Sequence, residues 1–122
     1  MIMNGFLIAG SLALGMLGAN GQALAADIRM FVRHDVADYA VWRKGYDAYA
    51  PTQKKMGVFY EAVYQSSENP NDVTVIHDFR SLEKAKAFAA SSDLKETMGK
   101  LGVKGPPQIW FTAKSAKKAD KK

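Results

Sequence analysis

Two histidines, His34 and His77, are the side chains of this protein best suited to acid–base chemistry. An imidazole titrates near neutral pH, so it can serve as a base, an acid or a hydrogen-bond partner. Each histidine shares the parity of apolar residues in a strand-like run, which predicts both near the end of a strand. Two alternatives stay open. One is a pair of hydrogen-bonded strand-end residues, and the other is a metal site with Asp35 or Asp78, whose side chains would point to the opposite face.

A stripe of aromatic residues follows the first strand at helical spacing. Its members, three or four positions apart, are Tyr39, Trp42, Tyr46 and Tyr49. An aromatic stripe commonly builds core, and that interpretation stays open. The second interpretation is a pocket between helices and sheet, lined by Trp42, Tyr46, Tyr60, Phe79 and Trp110. Such a pocket would accept a flat aromatic ligand, which the phenol hydroxyls would orient.

Several kinds of active site are excluded by what the chain lacks. It has no cysteine, which excludes disulfides, thiolate zinc sites, iron–sulfur clusters and a cysteine nucleophile. The sequence shows no glycine-rich phosphate loop, no serine in a nucleophile elbow and no close carboxylate pair for glycoside hydrolysis. We therefore expect neither a metal nor a cofactor.

The length of 122 residues is typical of a single domain. The formal net charge is +5, but residues 114–122 alone hold five lysines and one aspartate. This tail has no aromatic residue and is predicted to be disordered. Because the rest of the chain is nearly neutral, we do not expect it to bind nucleic acid.

Residues 1–25 are predicted to be a signal peptide. They contain no charged side chain, and an apolar run over 6–17 is followed by a polar turn and the small-x-small triplet Ala23-Leu24-Ala25. We expect cleavage after Ala25 and a periplasmic or secreted protein with no stable membrane span after cleavage. A buried N-terminal helix and an uncleaved anchor are the alternatives.

The rest of the chain, residues 26–113, is predicted to fold as one domain with the order strand, helix, strand, strand, helix, strand. Hydrophobic patterning predicts strands over 28–34, 58–66, 72–79 and 108–112. Helix signals lie between them: Asp35 or Asp38 and Ser81 as caps, Pro51 as a break, and Asp93 with Glu96 as a capping box.

This order predicts an α+β fold, the ferredoxin-like βαββαβ arrangement with a four-stranded antiparallel sheet in the order 4-1-3-2. We expect strands one and three to be central, parallel neighbours, which would bring His34 and His77 to one end of one sheet face. Both helices would cover that sheet from a single side. The bare face would carry more large apolar residues than a soluble monomer tolerates, so two sheets are predicted to meet in a homodimer.

Short segments across residues 27–113 carry a resemblance to a known family. They include Val32-Arg33-His34-Asp35-Val36, Asp38-Tyr39 with Trp42, Asn69-Pro70-Asn71-Asp72-Val73 and Gly102-Val103-Lys104-Gly105-Pro106-Pro107. With these segments the chain resembles dimeric α/β-barrel proteins of the antibiotic biosynthesis monooxygenase type. That superfamily includes cofactor-free monooxygenases acting on aromatic polyketides, polyketide cyclases and haem-degrading enzymes, so the resemblance assigns no single reaction. The haem-degrading members use a histidine in the helix after strand three, and residues 82–101 contain none.

Three functions are compatible with these observations. The first is an oxygenase-like enzyme acting on an aromatic or quinone-like molecule, with His34 as base, His77 as a second catalytic candidate, and Trp42 and Tyr46 positioning the ring. The second is a binding protein that uses the same pocket without catalysis, and the third is a structural dimer without a pocket. The first two require a cavity of roughly 300 Å³ or more that reaches His34.

Overall fold

The computed structural model describes residues 27–115, which form one sheet of four strands covered by helices. The strands are β1 (Ile28–Val36), β2 (Tyr60–Gln65), β3 (Asp72–Phe79) and β4 (Val103–Ala113). The helices are α1 (Tyr39–Ala48), α2 (Ala50–Lys55), α3 (Leu82–Ala89) and α4 (Ser92–Lys100). The predicted ferredoxin-like α+β fold is confirmed. The predicted signal peptide and most of the predicted tail lie outside the described residues.

The sheet has the order β2-β3-β1-β4, which is the predicted order read from the other edge. The expectation that strands one and three run parallel is wrong, because β1 and β3 pair antiparallel. The helical crossover leaves β2 parallel to β1, and the β2–β3 hairpin then reverses the chain direction. As a result His34 lies opposite Val73, whereas His77 lies opposite Met30. The two histidines share a sheet face but are four ladder positions apart, roughly 13 Å along the strands.

Local signals explain where the helices begin. The carboxylate of Asp38 accepts a hydrogen bond from the backbone N–H of Val41, and the hydroxyl of Ser81 caps α3 in the same way. The predicted capping box at Asp93 is wrong, because the cap of α4 is Ser91, two residues earlier. Asp93 lies in the first turn, where its carboxylate accepts a hydrogen bond from the hydroxyl of Tyr49 instead.

The last strand is longer than predicted and starts at Val103, so it includes Pro106 and Pro107. Proline lacks the N–H that an inner strand must donate, but β4 lies at the edge of the sheet and tolerates it. The pairing of β1 with β4 shifts register between Arg33 and Asp35. Pro51 behaves as predicted: α1 stops at Ala48, and the proline sits in the first turn of α2.

The two faces of the sheet differ in composition. The face under the helices carries the core, including Met30, Val75 and Phe79, each at most 1% exposed. On the other face, which we call the outer face, Phe31 stacks on Trp110 with ring centroids 5.1 Å apart, and Tyr60, Tyr64 and Trp110 are 42–55% exposed. Two bidentate ion pairs, Arg29–Asp78 and Arg33–Asp72, lie among these rings.

Substitutions at two helical glycines test how closely α1 packs against the end of α4. A β-carbon at Gly45 would collide with the side chain of Leu101, whereas one at Gly99 would meet nothing within 4 Å. We expect Gly45→Ala to lower the free energy of unfolding by about 1–2 kcal/mol, because displacing Leu101 outweighs the gain in helix propensity. Gly99→Ala should raise it by about 0.5–1 kcal/mol. Urea denaturation of both variants measures this, and equal effects of the two would contradict the close approach.

Candidate functional site

A recess lies between the helix-covered face of the sheet and the helices α1 and α4. Its walls combine strand residues, the aromatic stripe of α1 and apolar side chains of α4; they include His34, His77, Trp42, Tyr46, Leu94, Met98 and Leu101. The cavity has a volume of about 40 Å³ and opens to solvent through a wider mouth. The cavity reaches His34 and His77, but it is smaller than the roughly 300 Å³ that the two pocket-based functions require.

One end of the cavity is formed by His34 on β1. This residue is 7% exposed, and its ring meets the ring of Trp42 edge-on, with centroids 5.6 Å apart. Burial lowers the pKa of His34, since an imidazolium loses its hydration there. Its Nδ1 atom is buried and has no hydrogen-bond partner in the described part of the chain. His34 is therefore a neutral imidazole at physiological pH.

The other end is formed by His77 on β3, which belongs to a chain of hydrogen bonds. Its Nε2 lies 2.9 Å from the hydroxyl of Tyr46, and that hydroxyl lies 3.0 Å from a carboxylate oxygen of Glu61. The amide nitrogen of Gln53 lies 3.4 Å from the same Nε2. Burial lowers the pKa of His77 to about 4. Burial and the nearby Glu61 carboxylate raise the pKa of Tyr46, so its hydroxyl keeps its proton.

Helix α1 connects the two ends by a continuous row of rings. Trp42 stacks on Tyr46 with centroids 4.8 Å apart, and Tyr46 stacks on His77 at 6.0 Å. The expected placement of both histidines at one end of the sheet is wrong, but their shared face is confirmed. Tyr46 and Trp42 occupy the space between them, so a single helix positions the polar ends of the cavity relative to each other.

Three predicted pocket residues do not line this cavity. Tyr60 and Trp110 lie on the outer face, 50% and 42% exposed, because their strand parity places them opposite the core. Phe79 is fully buried and packs on Phe88 with ring centroids 5.5 Å apart. Trp42 and Tyr46 do line it, and they serve as core as well, so both interpretations of the stripe apply to these two residues.

Two residues near His77 escaped the sequence analysis. Gln53 continues the spacing of the aromatic stripe past Pro51, since it lies four positions after Tyr49. Glu61 pairs directly with His77 across the β2–β3 ladder. Its register follows from the hairpin, so counting back from the turn would have placed a carboxylate beside the histidine.

The described residues limit other kinds of site. Within 27–115, no group of three histidine, aspartate or glutamate side chains is placed to hold a metal ion. Asp78 of the alternative metal site pairs with Arg29 on the outer face. In the same range, no helix is long and apolar enough to cross a membrane.

Comparisons with known proteins place the fold in a class. No family model matches the chain, and no curated protein matches it in sequence. Solved structures do match: a Bordetella bronchiseptica protein provisionally named an antibiotic biosynthesis monooxygenase is 21% identical, covers 75% of this chain and 99% of its own, and superposes with a TM-score of 0.65. SnoaB, a cofactor-independent oxygenase from Streptomyces nogalater, is 10% identical over 77% and 98% of the two chains, with a TM-score of 0.63.

A third similar structure was solved with a ligand. The monooxygenase from the gene ActVA-Orf6 of Streptomyces coelicolor, in complex with nanaomycin D, is 18% identical over 76% of this chain and 91% of its own, with a TM-score of 0.58. At these identities the likeness is one of fold. The chain therefore has the fold of antibiotic biosynthesis monooxygenase-like proteins, with two buried histidines beside its aromatic stripe.

The low pKa of His77 predicts how stability depends on pH. Between pH 6.5 and about 4 the unfolded chain binds a proton at this residue and the folded chain does not, so stability falls as the pH falls. From pH 7.5 to 4.5 we expect a loss of roughly 2–3 kcal/mol from His77. His77→Gln should reduce that loss, as measured by urea denaturation at both pH values. The Arg33 guanidinium lowers the pKa of Asp72, so this carboxyl titrates at lower pH. An equal loss in the variant would contradict the buried neutral state.

Proposed function

We propose that the protein is a cofactor-free monooxygenase-like enzyme that acts on an aromatic or quinone-like small molecule. One observation supports this most: His34 and His77 are neutral and lie at the two ends of an apolar, ring-lined cavity, and each has a buried ring nitrogen without a partner among residues 27–115. A neutral imidazole in such a setting can accept a proton from a substrate. The fold shared with SnoaB and the ActVA-Orf6 monooxygenase supports the same reaction class by analogy.

In this proposal His34 is the base. It removes a phenolic proton, which raises the electron density of the substrate ring and allows it to react with dioxygen. One oxygen atom enters the substrate as a carbonyl in place of a CH₂ group, and the other leaves as water with the two hydrogens. Trp42 and Tyr46 form the aromatic wall against which the substrate ring lies, and desolvation by the apolar walls strengthens each polar contact.

The cavity must widen to admit an aromatic ring. Its volume of about 40 Å³ suits two or three water-sized molecules rather than a ring. The wall formed by α4 is the part best able to yield, because only Leu94 of that helix is buried while Met98 and Leu101 are partly exposed. Methionine is flexible and tolerates repacking. We infer that the substrate enters under α4 by displacing these two side chains.

Oxygen consumption by the purified protein tests the enzymatic proposal. With hydroxylated anthrone-type compounds, which carry the CH₂ group that the step requires, we expect uptake above the uncatalysed rate, and His34→Ala should lower kcat by about 100-fold or more while the fold remains intact. Lys95→Ala, at an exposed position of α4, is the matched control and should keep full activity. Uptake that is unchanged in His34→Ala would refute His34 as the base.

A second candidate function is ligand binding without catalysis, which the apolar, ring-lined walls of the cavity support equally well. In that case the same compounds would bind and quench the fluorescence of Trp42 without any oxygen uptake. A protein that neither binds nor oxidises them would instead be a structural dimer.

We also propose that two copies pair through their outer faces. Phe31, Trp110, Tyr60 and Tyr64 form an aromatic surface there, and the two arginine–aspartate pairs offer reciprocal polar contacts around a twofold axis. Export remains part of the proposal and depends on the sequence of residues 1–25 alone.

Sedimentation of two variants tests the pairing. Trp110→Glu places an uncompensated charge in the aromatic surface, so we expect the sedimenting mass to fall from two copies to one at micromolar concentration. Val41→Glu is the control, because Val41 is 61% exposed on α1, away from the outer face. A single copy for the unaltered protein would contradict the dimer.

A further inference from the structure

The hydroxyl of Tyr46 has two polar neighbours but only one proton to donate. The Glu61 carboxylate oxygen lies 3.0 Å away, and the Nε2 atom of His77 lies 2.9 Å away on the other side. An ionised carboxylate has no proton and can only accept a hydrogen bond. Tyr46 must therefore donate to Glu61, which leaves its oxygen lone pairs to face His77.

This constraint decides where the proton of neutral His77 lies. If Tyr46 donates to Glu61, the short contact to His77 is a hydrogen bond only when Nε2 carries the proton. We propose that Glu61 is a positioning residue: through Tyr46 it places the His77 proton on Nε2 and leaves Nδ1 as a bare hydrogen-bond acceptor. The opposite arrangement would put a proton on Nδ1, which is buried without a partner in the described residues, and would leave Tyr46 and Glu61 competing for a single proton.

The third neighbour, Gln53, is compatible with this arrangement. Its amide nitrogen lies 3.4 Å from Nε2, which is long for a hydrogen bond beside the 2.9 Å contact to Tyr46. The amide group carries an oxygen as well as a nitrogen, and a half-turn presents that oxygen to the N–H of His77. Because Gln53 is 3% exposed, its amide also closes this end of the cavity to solvent.

A bare acceptor at Nδ1 limits what can bind to it. A group that hydrogen-bonds to this nitrogen must donate, as a phenol hydroxyl does and a quinone carbonyl does not. Because Nδ1 is buried among the described residues, such a group reaches it only if the surrounding side chains move. Any ligand contact at Nδ1 rests on the proposed function, whereas the assignment of the His77 proton depends only on the three side chains.

Nitrogen-15 NMR of the full chain tests the assignment without any substrate. The protein has only two histidines, so each ring gives a resolvable pair of nitrogen signals, and His34 serves as an internal reference. At pH 8 both rings are neutral, since burial lowers the pKa of both histidines. We expect His77 of the unaltered protein to carry its proton on Nε2.

Three variants separate a positioning role from a structural one. Glu61→Leu removes the acceptor, so Tyr46 is free to donate to Nε2, and we expect the ratio of Nε2-protonated to Nδ1-protonated His77 to fall by about tenfold or more. Glu61→Gln keeps an accepting oxygen and should preserve the ratio. Glu68→Leu, at an exposed position of the β2–β3 turn, is the matched control and should leave both histidines unchanged.

A proton found on Nδ1 in the unaltered protein would overturn the proposal, as would an unchanged ratio in Glu61→Leu. Should Glu61→Leu fail to fold, Glu61→Ala at the same exposed strand position is the second variant for the ratio. The outcomes also separate this proposal from the enzymatic one. A ratio that responds as expected in a protein without oxygen uptake would support the role of Glu61 and refute the enzyme. Oxygen uptake with an unresponsive ratio would do the reverse.

Discussion

Trp42 and Tyr46 stack with ring centroids 4.8 Å apart, and each also contacts a histidine of the sheet. This row of rings determines the environment of the two histidines in the candidate site. It removes His34 and His77 from water, and removal from water lowers the pKa of both, so both are neutral near pH 7. An imidazole that is neutral and partly unpartnered at physiological pH is the form that accepts protons. The packing that stabilises the helix on the sheet is therefore the same packing that prepares the histidines for chemistry.

The two ends of the row are supported differently. His77 is tied by Tyr46 to the carboxylate of Glu61, so its ring has a fixed partner on one side. His34 has the edge contact with Trp42, but its Nδ1 atom has no partner within the described residues. A less constrained ring suits proton transfer. This asymmetry favours His34 over His77 as the base of the proposed mechanism.

The sheet uses its two faces for different purposes. Its helix-covered face holds the core and the cavity, while its outer face combines exposed aromatic rings with ion pairs that are themselves partly exposed. Ion pairs in contact with water contribute little stability. Their bidentate geometry across neighbouring strands still fixes the positions of the charges on this surface.

Much of this molecule follows from the sequence alone. Hydrophobic alternation, the caps at Asp38 and Ser81 and the break at Pro51 are local signals, and they predicted the ferredoxin-like fold and the strand order correctly.

The sequence could not by itself show which residues of different elements come into contact. The direction of β3 relative to β1 depends on how a crossover and a hairpin combine, and that decided the separation of the histidines. The cavity volume depends on how side chains of α4 fill space, which no spacing encodes. Tyr60 and Trp110 lie on the opposite face of the sheet from the cavity. The contact of Glu61 with Tyr46 and His77 forms only in the folded protein, because this chain of hydrogen bonds joins three elements that must first pack together.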